Sequence, residues 1–166
     1  IIKSNYMIIS KLYKLLLIAI VSVISLYIIS CSNSDEAPSE VGISVKIAVF
    51  SDPHYLNPAL YTPGTAIDQA SRGSRKMVVE SEAILNSAVD MILLDKPAIV
   101  LIPGDLTKDG ELLSHQMFAQ IIKRLEDAGI KTYVIPCNHD VANPSSSSFS
   151  GDSKTPAISV TADEFA

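Results

Sequence analysis

An α/β fold on a parallel sheet, in the order β-α-β-α-β, is predicted by three observations. Three short apolar runs, 45–50, 98–102 and 131–135, each stop abruptly and hand over to polar residues. Two stretches between them carry apolar residues at helical spacing. Pro97 and Gly129 punctuate the ends of those stretches. Continuous apolar runs of this length mark strands buried in a sheet, and strands alternating with helices imply right-handed crossovers and parallel pairing.

The chain opens with a segment of a different kind. Lys11 and Lys14 precede an uncharged, mostly apolar stretch from Leu15 to Ser30, followed by Cys31. A signal peptide has an apolar core of about 7–15 residues and a membrane span needs about 20, so this stretch reads as a secretory signal, the alternative being an uncleaved N-terminal anchor helix. Ile28-Ile29-Ser30-Cys31 resembles the lipobox of bacterial lipoproteins, which implies cleavage before Cys31 and acylation of its thiol. Residues 32–44 are polar at first and read as a tether, with Asp35-Glu36 just after the cysteine. The folded region is expected over 45–166, outside the cytoplasm, anchored on the periplasmic side of an envelope membrane or at the cell surface. Ile1 in place of Met, with Met7 as a candidate start, and a tail without a stop to the fold lead to the expectation of a fragment.

The first strand, Val45–Phe50, reads as buried on both faces. Pro53, Pro58, Pro63 and Gly64 predict an irregular loop to about residue 70, with Tyr55 and Tyr61 in it. Ser74 is read as the N-cap of the first helix, whose core stripe is Met77, Ile84, Leu85, Ala88, Met91 and Ile92. Ala98–Ile102 follows as the second strand. Asp109-Gly110 leads into a second helix with the stripe Leu113, Met117, Ile121, Leu125 and Ala128, closed by Gly129. Lys131–Ile135 is the third strand. After Asp140 the serine run 145–148 reads as exposed loop, and a short helix is expected near Ala162.

Formal net charge is −5, from 13 basic and 18 acidic residues. That balance argues against nucleic acid as a partner, since two polyanions repel. Two cysteines make no disulfide framework.

In a parallel sheet the strand C-termini share one edge, where ligand sites lie. Asp52, His54, Asp105, Asn138, His139 and Asp140 all follow strand ends and should converge there. Carboxylate, imidazole and amide oxygen suit Mn, Fe, Zn or Mg. Asp52 and His54 alternate along an extended chain, so their side chains share one side. Gly104 allows a tight turn that brings Asp105 close. Two divalent ions about 3.5–4 Å apart would polarise a phosphoryl group and activate water near neutral pH. His139 could protonate a leaving alkoxide, with Asp140 orienting its ring.

Asp52-x-His54, Gly104-Asp105 and Asn138-His139-Asp140 are similar, in this order, to the first three signature blocks of the calcineurin-like metallophosphoesterases. The resemblance covers about residues 45–141. It implies a four-layer α/β/β/α sandwich and a dinuclear centre that hydrolyses phosphomonoesters or phosphodiesters. Asp52 and His54 would hold one ion, Asp105 would bridge, and Asn138 would hold the second. His139 would be the catalytic acid and Asp140 its support.

The sequence departs from that pattern in two places. Cys137 stands where the family has glycine; it is expected to be a small buried side chain rather than a thiolate ligand. The family also uses later histidines, whereas this chain has only His54, His115 and His139, and His115 reads as a surface residue. These 166 residues alone are therefore expected to turn over phosphoesters very slowly, with one sheet face and one edge uncovered. The alternative is a catalytically inactive lipoprotein that binds a cation or serves as a structural surface module.

Overall fold

The computed structural model describes residues 44–165. The expected signal segment with its lipidation site Cys31, and the tether up to residue 43, lie outside them. Among the described residues no helix is long and apolar enough to cross a membrane.

Three parallel strands form the sheet in the order β1-β2-β3: β1 is Ile47–Val49, β2 is Ile99–Pro103 and β3 is Lys131–Ile135. Ile47 pairs with Ile99, and Ile99 with Lys131. Helix α1 spans Thr65–Ser74, α2 Ser81–Asp95 and α3 Leu112–Asp127. Hairpin β4–β5 (Ser147–Ser150 and Ser153–Pro156) and a last turn, α4 (Ala162–Phe165), follow β3. The β-α-β-α-β order holds, and β3 has its expected limits.

The main core lies on one face of the sheet. Val100 and Ile102 of β2 meet Leu85 and Val89 of α2 and Phe118, Ile121, Ile122 and Leu125 of α3, with Ala48 and Val134 alongside. These strand positions share one parity and so one face. Ile130 N–H reaches Leu125 O at 3.0 Å and Gly129 N–H reaches Glu126 O at 2.8 Å, the paired bonds of a Schellman turn, and Leu125 and Ile130 pack together in the core.

The opposite face is bare among the described residues. Ile47 is 50 % exposed, Val49 62 % and Ile135 63 %. β1 is thus not buried on both faces, because α2 and α3 cover only one side.

Further expectations need correction. The loop to residue 70 contains a 3-10 turn, Pro58–Leu60, and most of α1. Leu60, Ile67, Val78 and Phe149 explain this with a second apolar cluster around Leu56. Ser74 ends α1 instead of capping the next helix, and its hydroxyl donates to Ala70 O at 2.8 Å. The inner stripe of α2 is Ser81, Leu85 and Val89, so Ile84 and Met91 point outward, and Met77 lies exposed before the helix begins. In α3, Leu113 is likewise exposed, and Phe118 and Ile122 take the inner positions. The serine run is partly buried: Ser146 and Ser147 lie inside, where Ser147 Oγ donates to Ser145 O at 2.6 Å. Tyr55 is fully buried in the main core, and burial pushes its phenol far up, so it is no surface contact. The turn at Ala162 is where it was expected.

Candidate metal centre

The sheet does not stop pairing where its strands end. Beyond β1 and β2 the two loops continue side by side: Asp52 N–H donates to Gly104 O at 3.2 Å, His54 N–H to Asp105 O at 3.0 Å and Tyr55 N–H to Leu106 O at 3.0 Å. Lys108 N–H returns to Tyr55 O at 2.9 Å. These bonds carry Asp52, His54 and Asp105 to one place. One donor atom from each lies within 4.8 Å of the others. His54 Nε2 stands 3.8 Å from Asp52 Oδ1 and 3.6 Å from Asp105 Oδ2.

The local backbone differs from the expected extended chain. Asp52, His54 and Asp105 all have positive φ, at 56°, 42° and 48°. Each such non-glycine residue stores about 1–3 kcal/mol of strain, which the surrounding bonds hold in place. The side chains converge because the chain coils at both ends of the Asp-Pro-His segment, not because alternate residues share a side. Gly104, at φ 83°, is required for a further reason: a Cβ on it would lie 2.6 Å from Cys137 Cβ. The first and third blocks are thus packed against the turn of the second.

A cation fits this cluster. Two carboxylates and an imidazole are hard-to-borderline donors suited to Mn, Fe, Zn or Mg. Asp105 Oδ1 is buried and has no hydrogen-bond partner, a state that costs free energy unless a cation meets it. Burial and the neighbouring Lys76 ammonium hold the His54 imidazole below its ordinary 6.5, which keeps it neutral and fit to ligate.

The third block divides its labour differently from the expectation. Cys137 is exposed, its φ is not positive, and its thiol donates to Asn138 Oδ1 at 3.3 Å. The substitution for glycine therefore stores no left-handed strain, but the side chain is not buried. Asn138 is exposed beside it. His139 stands edge-on to His54 with ring centroids 5.2 Å apart, which puts it at the centre. Asp140 does not touch its ring. The Asp140 carboxylate is fully buried and accepts from Thr107 N–H at 2.9 Å, Thr107 Oγ at 3.2 Å and Cys137 N–H at 2.8 Å.

His139 is oriented instead by Asp109, whose place in the sequence marks only the lead into a helix. His139 Nδ1 lies 2.8 Å from Lys108 O and 3.0 Å from Asp109 Oδ1. A carbonyl oxygen only accepts, so Nδ1 carries the proton and Nε2 is left for other work. Asp109 is in turn paired with the buried Lys108 ammonium, which sits 5.2 Å over the Phe149 ring of β4. A line of contacts thus runs from the hairpin through Lys108 and Asp109 to His139. Glu111 lies fully buried beneath it, accepting from Asp109 N–H at 3.2 Å, and burial raises its carboxyl above the ordinary range.

His115 is not a surface residue. The first turn of α3 packs under the third block, where His115 Nε2 donates to Asp140 O at 2.7 Å. Burial holds its pKa below the ordinary 6.5, as it does that of His54. The unfolded chain therefore binds protons that the folded chain refuses. The metal-free protein will keep its full stability above about pH 6.5 and lose it as pH falls below that value. Urea midpoints between pH 7 and pH 5 measure this, and His115→Gln, which keeps a donor for Asp140 O, should flatten the slope. An unchanged slope would assign it elsewhere.

Comparison with known families gives a match over residues 45–163 to the family described as Calcineurin-like phosphoesterase. No curated protein matches the chain.

Proposed function

The chain belongs to the calcineurin-like phosphoesterase family, and from that premise we propose that it is a metal-dependent hydrolase of phosphomonoesters or phosphodiesters with a dinuclear centre. The observation that carries the reading is the meeting of Asp52, His54 and Asp105 within 4.8 Å, with His139 beside them. Asp52 and His54 would hold one ion, Asp105 would bridge, and Asn138 would reach the second. Bound there, divalent cations supply Lewis acidity for the phosphoryl oxygens and for the attacking water.

The chain's own residues do the rest. His139, having taken up a second proton from solvent at Nε2, gives it to the departing alkoxide and returns to the neutral ring, while Nδ1–H stays fixed on Lys108 O and Asp109. Asp109 thus takes the supporting role first given to Asp140, and Asp140 holds the turn that presents Asn138 and His139.

The bare face bearing Ile47, Val49 and Ile135 suits the second sheet of a four-layer sandwich. The basic and apolar stretch ending at Ser30-Cys31 supports a lipid anchor in the cell envelope.

The test is Mn²⁺ binding by calorimetry, together with hydrolysis of p-nitrophenyl phosphate and its bis-ester. Turnover should be slow, dependent on Mn²⁺ and lost in EDTA. His139→Asn should lower kcat by about 10²–10⁴ with Mn²⁺ binding intact. Asp109→Asn should lower kcat by about 10-fold or more, as loss of an orienting partner does. Mn²⁺ binding without turnover would favour the non-catalytic cation-binding alternative, and absence of Mn²⁺ binding would overturn both.

A further inference from the structure

A cavity of about 370 Å³ adjoins the Asp52–His54 side of the centre. Its polar end carries Asp52, His54 and Lys76, and its wall includes Phe50, Met77 and Ile84. Met77 and Ile84 are 63 % and 47 % exposed, apolar surface left uncovered beside charged groups. Lys76 is held there by a locked segment. Val78 is fully buried, Ser81 Oγ donates to Val78 O at 2.8 Å, and Leu56 N–H donates to Ser81 Oγ at 3.1 Å.

Lys76 has no carboxylate partner among the described residues. Its Nζ lies 3.1 Å from His54 Nδ1. That contact requires Nδ1 to accept. With Nε2 committed to a cation, the ring proton would sit on Nδ1, and the ammonium would lose this acceptor. An ammonium beside a divalent cation is repelled by it, and an anion at the polar end of the cavity neutralises both.

We propose that this cavity binds the substrate, with Lys76 on a non-bridging phosphoryl oxygen and Met77 and Ile84 against an apolar aryl or alkyl group of the ester. This rests on the hydrolase reading above and narrows its substrate to phosphoesters with an apolar organic part. Met77 precedes α2 and Ile84 lies off its core stripe, and both are exposed, so they are free for this role.

The experiment compares phenylphosphonate with methylphosphonate by calorimetry on the whole chain, in Mn²⁺ and in EDTA. Phenylphosphonate should bind about 10-fold more tightly, from burial of the ring. Replacing both Met77→Ser and Ile84→Ser should bring the ratio to about 1. Lys76→Met should weaken both ligands by about 10-fold or more, as loss of a charge-assisted bond does. It should also leave Mn²⁺ affinity unchanged or higher, since a neighbouring cation is removed; a merely structural lysine would lower it. Equal binding of the two phosphonates by the wild type, or no loss in Lys76→Met, overturns the assignment. Mn²⁺ binding with equal phosphonate affinities leaves the hydrolase reading standing and removes only the cavity. If Mn²⁺ fails to bind, the hydrolase reading falls, and the ratio in EDTA still decides the apolar wall.

Discussion

Asp105→Asn will remove most of the affinity for Mn²⁺ without unfolding the protein. Asparagine tolerates the left-handed backbone at φ 48° better than alanine does, so the substitution isolates charge from strain. The carboxylate stands 3.6 Å from His54 Nε2 and keeps one buried oxygen without a partner. Losing it should cost at least about 100-fold in affinity, or about 2.7 kcal/mol. Linkage turns that into a melting experiment. At Mn²⁺ 100 times the wild-type dissociation constant, the wild type gains about 2.7 kcal/mol of stability, whereas the variant, then at its own dissociation constant, gains about 0.4 kcal/mol. In EDTA the two should melt alike to within about 1 kcal/mol, because the variant gives up only an unpartnered charge. An equal Mn²⁺ shift in both proteins would place the ion away from Asp105.

That Asp105 could be singled out at all reflects which physics a sequence carries openly. Apolar runs broken by Pro103-Gly104 and by Pro136 report strand ends, and parallel topology brings strand ends together. The meeting of Asp52, His54 and Asp105 was legible for that reason. So was the C-terminal turn of α3, since Gly129 and its flanking Leu125 and Ile130 form a local pattern. Asp109 was not legible. Its place depends on how residues 105–111 coil after β2, which is set by main-chain bonds to residues 52–55 and by the Lys108 ammonium. Next to glycine, an aspartate reads as a turn former. The hairpin β4–β5 was hidden by its composition, because its mostly polar strands are held by a single apolar anchor, Phe149, whose pocket is built from distant residues such as Leu56 and Ile67. Lys76 was hidden in another way, since it reaches His54 across 22 residues on a segment with no periodic signal.

Asp140→Ala should be the most destabilising single change near the site, and its cost should appear in stability before activity. The side chain is fully buried and accepts three hydrogen bonds. Two of the donors are backbone N–H groups, of the buried Thr107 and of Cys137, and alanine leaves both without their acceptor. Each buried donor left unpaired costs about 1–3 kcal/mol, so a loss of about 3–5 kcal/mol is expected. Urea denaturation of the metal-free protein measures it. Asp140→Asn keeps one acceptor oxygen and turns an NH₂ toward the other donors, so about 1–3 kcal/mol should be lost. The contrast with Asp109→Asn separates the two aspartates. Asp109 meets the imidazole of His139 directly, so its amide should lower kcat and leave a second-ion contact such as Asn138 in place. The Asp140 carboxylate meets Thr107 and the Cys137 N–H and not the His139 ring, so its amide should lower the urea midpoint and, in the fraction that stays folded, leave the Nδ1 bond of His139 to Lys108 O intact, observable as a retained Nδ1–H tautomer by nitrogen NMR. If Asp140→Asn were as stable as the wild type yet shifted the His139 tautomer, the support of the ring would have to be returned from Asp109 to Asp140.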